Sequence, residues 1–357
     1  MKRIFIYLAV VTLAAIAVVT LLTPKDESSG QSGVDDLLLP GIAAQINDVD
    51  RLEIVTAGDT TVATLVRAQG AWQLEQMDGY RADWSKVQAL LAALAQARVI
   101  ETKTDKPEYY ARLGVEDVAA ADADSILVRL SIGDQISGVL IGHRADGRQG
   151  QYVRLQDSAG SALVDREFDV PLQALDWADS RIIDINSSEV AEVEIIHPTS
   201  ERVLAMRISA DQTDFDLAGL PADREIKSSW AVNSLGSVFT LLNMESVRPQ
   251  SSVDWADAVK LRMLLFSGVE IMADLVEDGD QFLLRLHASH PAASVVPGAN
   301  AEPGADREVE EQAARDVAGR VDEINQKVDG WAYGISKQKF EAMVKKPEDL
   351  LKPLASS

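Results

Sequence analysis

Two histidines spaced as His287-Ala288-Ser289-His290 are this chain's nearest approach to a metal-ligand pattern. Imidazoles a few residues apart share an ion when a third ligand joins them. The pair lies where a strand-like segment runs into Pro291, which suits a surface turn better than a metal centre. Asp211, Asp214 and Asp216 resemble the first ligands of a calcium loop, but the glycine and distal bidentate Glu of such a loop are missing, so a solvated turn is expected. Asp176/Asp179 and Glu277/Asp280 are carboxylate pairs of the kind that serve as acid and base in glycoside hydrolysis. They fall at turns and helix ends of an acid-rich chain, where a shielded pocket and a shifted acidity are not expected. His143 and His197 each stand alone at strand ends. The phosphate loop GxxxxGK[ST], the dinucleotide fingerprint GxGxxG, the GxSxG elbow and HExxH are all absent from the sequence. With no cysteine, thiolate metal sites, Cys nucleophiles, iron-sulfur clusters, disulfides and a lipoprotein anchor are excluded as well. The expectation is a protein that is not an enzyme and holds neither cofactor nor metal.

Charge narrows the partners. Lys and Arg number 34 against 56 Asp and Glu, a formal charge of -22, which repels phosphate backbones and excludes a nucleic-acid binder. A 46% hydrophobic, 25% charged composition over 357 residues is that of a folded chain of about two domains.

Met1-Lys2-Arg3 precedes an uncharged run from Ile4 to Leu22. About 20 apolar residues cross a hydrocarbon core of about 30 Å, whereas the apolar part of a signal peptide is about 7 to 15 residues. No small-residue cleavage site follows at Leu21-Leu22-Thr23-Pro24, so an uncleaved single-pass transmembrane anchor is expected. The positive-inside rule puts the N-terminus in the cytoplasm and the bulk outside it, in the periplasm of a bacterial inner membrane. Residues 24–47 then form a linker that opens on Ser, Gly and charged residues.

Beyond the linker the pattern is α+β. Short alternating segments at Leu52 to Val55, Val62 to Val66 and Ala71 to Leu74 predict a β-meander. Asp83 is placed to cap a helix whose Val87, Leu90, Leu91 and Leu94 recur at i, i+3, i+4 and i+7. Strands are predicted again over Ile126 to Ile132, Gly138 to Ile141, Gln151 to Leu155 and Ser161 to Val164, followed by a short helix from Pro171 to Ala178. The second half repeats this order: Val49 to Val55 aligns with Val190 to Ile196, Trp72-Gln73-Leu74 with Phe215-Asp216-Leu217, and Leu90, Leu91 and Leu94 with Val238, Phe239 and Leu242. Further strands are expected at Lys260 to Leu265, Val269 to Leu275, Gln281 to His287 and Trp331 to Ile335, with a flexible and helical acidic insert at 291–328. The predicted fold class is therefore α+β: an N-terminal transmembrane helix within 1–23, then two tandem degenerate repeats of antiparallel β-meander with packed helices, over 48–185 and 186–357. Trp72, Trp84, Trp230 and Phe239 are assigned to the core by spacing.

Tyr80-Arg81-Ala82-Asp83 entering the Leu-rich helix, Tyr110-Ala111-Arg112-Leu113-Gly114-Val115, Leu130-Ser131-Ile132-Gly133-Asp134 and Gly150-Gln151-Tyr152-Val153-Arg154 follow one another in the order of a known bacterial family. With the N-terminal span and Gly70-Ala71-Trp72-Gln73-Leu74, the chain resembles domain of unknown function 4340, most clearly from about Leu52 to Ile183. The resemblance implies a membrane-tethered envelope protein working beside an ABC permease, its ATPase and a gliding-motility-type auxiliary membrane subunit. It implies no catalytic residue. The insertion from Pro291 to Val328 departs from the simple family pattern.

The expected function is a non-catalytic, membrane-anchored periplasmic accessory or scaffold subunit of an ABC-type export system, held in the inner membrane by residues 4–22. The alternative is an envelope glycan- or lipid-binding module without a transporter. Candidate partner contacts are the small residues Ala9, Ala14, Ala15 and Ala17 of the span, and Tyr109, Tyr110, Trp177 and Trp255 in connecting segments.

Overall fold

The structure, a computed structural model, describes residues 36–290 and 307–354. The span at 4–22 with its four alanines, residues 24–35 of the linker, and residues 291–306 lie outside the described residues. Among the described residues, no helix is long and apolar enough to cross a membrane.

A one-turn helix α1 (Pro40–Ala43) leads into the first sheet. Its strands are β1 (Arg51–Thr56), β2 (Thr60–Ala68), β3 (Ala71–Leu74), β4 (Tyr80–Arg81), β5 (Val99–Thr102), β6 (Ile126–Ile132), β7 (Gln135–Arg144), β8 (Gln151–Leu155) and β9 (Ser161–Val164). Gly58 and Asp59, both at positive φ, turn β1 into β2, and pairing runs from Arg51↔Val66 to Thr56↔Thr60 through one bulge. Between β4 and β5 stands α2 (Trp84–Gln96). Its start follows from Asp83, whose carboxylate accepts from the Ser85 N–H at 3.0 Å. Its buried face is the predicted stripe Val87, Leu90, Leu91 and Leu94, at about 1.5–3 kcal/mol per fully buried side chain. The segment from Pro171 to Ala178 forms a bend and then a single 3-10 turn at Ala174–Trp177, and so departs from the expected helix. β10 (Arg181–Ile183) follows.

The second half begins at β11 (Val190–Ile196) and continues through β12 (Arg202–Met206), β13 (Asp216–Leu217) and β14 (Arg224–Ile226) to the short helix α3 (Ser229–Asn233). β15 (Leu242–Asn243), β16 (Ser246–Pro249), β17 (Val259–Leu265), β18 (Glu270–Asp278) and β19 (Gln281–Ser289) precede α4 (Arg307–Val328). β20 (Trp331–Gly334), α5 (Lys337–Met343), α6 (Pro347–Leu350) and β21 (Leu351–Pro353) complete the described chain. Val238, Phe239 and Leu242 are buried as the alignment with Leu90, Leu91 and Leu94 suggests, but α3 gives way to a 3-10 turn before reaching them. Ser234, Gly236 and Ser237 are poor helix formers. Gly236 is also pressed by Phe215, whose ring would stand 2.6 Å from any Cβ there.

The two large sheets are antiparallel throughout. The first runs β4-β3-β2-β1-β6-β7-β8-β9-β5 and the second β13-β12-β11-β17-β18-β19-β20-β16. Without β4, the first order matches the second strand for strand. The fold class is α+β, and one continuous apolar core passes through both halves, from Leu38 to Leu350. β10 pairs with β15 across them. The helix of the expected insert belongs to this core. α4 lies along β19 with Val328 buried, and the Asn325 amide accepts from the Ala288 N–H at 2.7 Å and donates to its carbonyl at 2.8 Å. β20 pairs with β19 only at Leu283 and Leu284, so Asn325 satisfies backbone groups that the short strand leaves over.

Candidate interaction site

A densely coupled polar group joins the two halves. Tyr80 of β4 is buried, its ring edge-on to Trp331 at 5.0 Å and to Tyr333 at 6.1 Å, both on β20. Its hydroxyl donates to the Asp179 carbonyl at 3.0 Å, and burial pushes its acidity far down. Arg81 Nε donates to Asp179 Oδ2 at 2.8 Å, while Nη1 donates to the Lys327 carbonyl at the end of α4. Lys327 Nζ lies 3.3 Å from the same carboxylate. Burial pushes the Asp179 carboxyl up, but the hydrogen bonds and charges of Arg81 and Lys327 outweigh it and hold the group below the ordinary range. Arg81 Nη2 is buried without a hydrogen-bond acceptor among the described residues. The junction here is packed with rings and ion pairs.

A pH-dependent stability follows. Because the Asp179 carboxyl is more acidic in the fold than free, its contribution is complete above the unfolded value of about 3.9 and is lost as pH falls through the folded value. Breaking a fully buried pair costs about 3–5 kcal/mol; with Asp179 still 32% exposed, Asp179→Asn is expected to cost about 1–3 kcal/mol at pH 7. Urea unfolding of both proteins at pH 7 and near pH 3 should show that difference shrinking in acid. A difference independent of pH would mean that the carboxylate charge is not what holds the joint.

Open surface is found elsewhere, in two clefts of about 690 Å³ each. The second-half cleft is acidic, with Asp254, Asp257, Glu277 and Asp278 beside His197 and Lys346. The first-half cleft lies between α2 and the β2–β3 hairpin. Trp72 forms a buried wall, Gly70 and Ala71 the hairpin wall, and Trp84, Gln88 and Ala92 recur at i, i+4 and i+8 along one side of α2. Trp84 is 53% exposed rather than core, because the first helical residue after the Asp83 cap projects past the Val87 stripe.

The sequence-predicted contacts separate on inspection. Trp177 is fully buried with its indole N–H donating to the Pro171 carbonyl at 3.0 Å, and Tyr110 is buried with its hydroxyl donating to the Ala159 carbonyl at 2.6 Å. Both lie on 3-10 turns folded onto a sheet, which removes them from any partner surface. Tyr109, on the outer side of the same turn as Tyr110, is 40% exposed under Arg112. Trp255 is half-buried, bonded to the Gln250 carbonyl at 2.9 Å and covered by Arg285. Ala9, Ala14, Ala15 and Ala17 lie outside the described residues. Trp230, assigned to the core by spacing, is 77% exposed at the start of α3. The signal for both is a place in the first helical turn, directly after the Asp83 cap for Trp84 and two residues after the Ser228 cap for Trp230.

The polar motifs are spent locally. His287 approaches Asp329 at 3.4 Å and His290 the Gly268 carbonyl at 2.9 Å, so the two rings serve different neighbours. Asp214 accepts from Asn233 and Asp216 from Gln212. Among the described residues no group of three or more potential ligands could hold a metal ion.

A family model described as a domain of unknown function (DUF4340) matches residues 72–261, more than half of the chain, from Trp72 in the first-half cleft across the Arg81–Asp179 joint to Leu261 in β17. No curated protein and no solved structure matches the chain.

Proposed function

The chain belongs to the DUF4340 family, and on that premise we propose that it is a non-catalytic, membrane-anchored accessory subunit of an ABC-type export system, its two halves being copies of one α+β unit. Residues 4–22 cross the inner membrane beside the permease, with Ala9, Ala14, Ala15 and Ala17 permitting close helix approach. The folded body stands in the periplasm and presents its clefts to cargo or partner subunits. The observation that supports a scaffold is where the strongly perturbed polar groups are placed. Tyr80, Arg81, Asp179 and Tyr333 are used to join the halves, and of these only Arg81, already paired with Asp179, also borders a large cleft. Glu101 and Glu201, the other perturbed carboxylates among the described residues, are held below the ordinary range by hydrogen bonds, from Lys103 and Arg148 and from Thr199 and Lys346, the reverse of a proton donor's tuning.

Large side chains on the small-residue face test the membrane contact. Ala14→Leu with Ala17→Leu is expected to leave the body folded and membrane-bound while reducing severalfold the permease recovered with it. Unchanged recovery would show that those alanines only keep the span apolar.

A further inference from the structure

We propose that the first-half cleft binds one molecule of an anionic amphiphile, an acyl chain ending in a carboxylate or phosphate. Charge complementarity carries the inference. In a chain with 56 acidic residues against 34 basic ones, none of the described residues lining this cleft is Asp or Glu, and two are arginines. The acidic second-half cleft of equal size is the internal contrast. Arg67 is exposed, donates one guanidinium N–H to the Asn47 carbonyl at 2.7 Å, and has no carboxylate partner among the described residues. Arg81 and Lys327 share the single carboxylate of Asp179, so that group remains net cationic, with Arg81 Nη2 still lacking an acceptor. A carboxylate or phosphate oxygen is the acceptor a free guanidinium takes best.

Apart from Asn47 and Gln88, the rest of the lining is apolar. Trp72, Trp84 and Leu91 offer ring and aliphatic surface beside Gly70 and Ala71 of the hairpin, and about 690 Å³ falls within the usual range for small-molecule clefts of about 300–1,000 Å³. A peptide adding as a strand is disfavoured by the backbone. β4 pairs with β3 on one side, and on the other Ala82 bridges Ala178 while the Asp179 N–H donates to the Arg81 carbonyl at 3.2 Å. With that edge already paired, strand addition has no row of free donors and acceptors to use. An acyl chain needs none.

Binding by the cleft and association with a transporter are separable, and the test uses no transporter. The full-length chain in phosphatidylcholine nanodiscs is exposed to a 12-carbon carboxylic acid bearing a diazirine, and the labelled peptides are mapped by mass spectrometry. The same chain with a trimethylammonium head is the control, and dodecyl phosphate the competitor. Labelling is expected between Gly70 and Ala92, displaced by dodecyl phosphate. It should fall about tenfold in Trp84→Ala and in Arg67→Gln, and further in Arg67→Glu, the loss of one charge-assisted contact being of that order. Trp84 and Arg67 are exposed, so unchanged thermal midpoints are expected to separate lost binding from lost folding. Equal labelling by the cationic probe, labelling unmoved by Arg67→Glu, displacement by an acidic peptide in place of dodecyl phosphate, or labelling spread over Trp230 and Ile208 overturns the proposal.

Discussion

Arg262→Met is expected to destabilise the body by about 3–5 kcal/mol, enough to remove a large part of an ordinary domain's margin. Arg262 sits on β17 between β11 and β18, opposite Glu194 on one side and Met272 on the other. Its Nε reaches Glu194 Oε2 at 3.1 Å, Nη1 reaches Glu270 Oε2 at 3.0 Å, and Nη2 donates to Glu192. Glu192, Glu194 and Glu270 keep only 14%, 9% and 16% of their side-chain exposure, so solvent screens them weakly once the cation is gone. Burial lowers the Arg262 basicity, and the hydrogen bonds and charges of the three carboxylates raise it further than burial lowers it. Arg202, 2.5 Å from Glu194 Oε1, compensates one carboxylate and leaves two. The measurement is a urea titration read as a shift in midpoint at constant slope. Adding Glu192→Gln and Glu270→Gln to Arg262→Met should recover more than half of the loss, because the cost lies in the stranded charges. A loss below about 1 kcal/mol would place the cluster among solvated surface pairs.

Trp177→Ala is expected to cost a similar amount, about 3–5 kcal/mol, through the cavity left by a fully buried ring. The same turn supplies a carbonyl to the Asp83 N–H at 2.7 Å and sets Ala178 against Ala82. The cap of α2 and the edge of the first sheet therefore depend on it. Trp177→Phe keeps most of the packing and strands the Pro171 carbonyl, for about 1–3 kcal/mol. Trp230→Ala, removing a ring that is 77% exposed, should stay within about 0.5 kcal/mol. If Trp177→Ala were as mild as Trp230→Ala, the ring would be a surface group, as its place in a connecting segment suggested.

These two tryptophans mark where sequence reading works and where it stops. Periodicity identified the α2 stripe, and alternation located β6, β8 and β9 with the bounds observed. The matched segments Val49 to Val55 and Val190 to Ile196 lie on the corresponding strands β1 and β11 of sheets with a shared order. All of these depend on neighbours within a few residues. Trp177 and Tyr110 depart from the surface place that a polar, irregular segment implies, because short 3-10 turns here fold over a sheet and bury one ring each. Trp84 and Trp230 were misplaced in the opposite sense, their hydrophobicity being weighed without the direction of a first helical turn. The joint was not legible at all. Arg81 meets the Lys327 carbonyl across 246 positions of sequence, and no local pattern records which edge strand of one sheet faces which helix end of the other half. The first-half cleft belongs to the same class, since the lack of Asp and Glu among the described residues of its lining is a property of surfaces brought together by folding.

The accessory-subunit reading is tested most directly by affinity purification from native membranes in mild detergent, comparing the full-length chain with a form beginning at Asp26 and identifying the copurifying proteins. The account predicts an ABC permease and its ATPase with the anchored chain and their loss from the shortened one. Recovery of both forms alone, or with a glycan in place of a transporter, would contradict it.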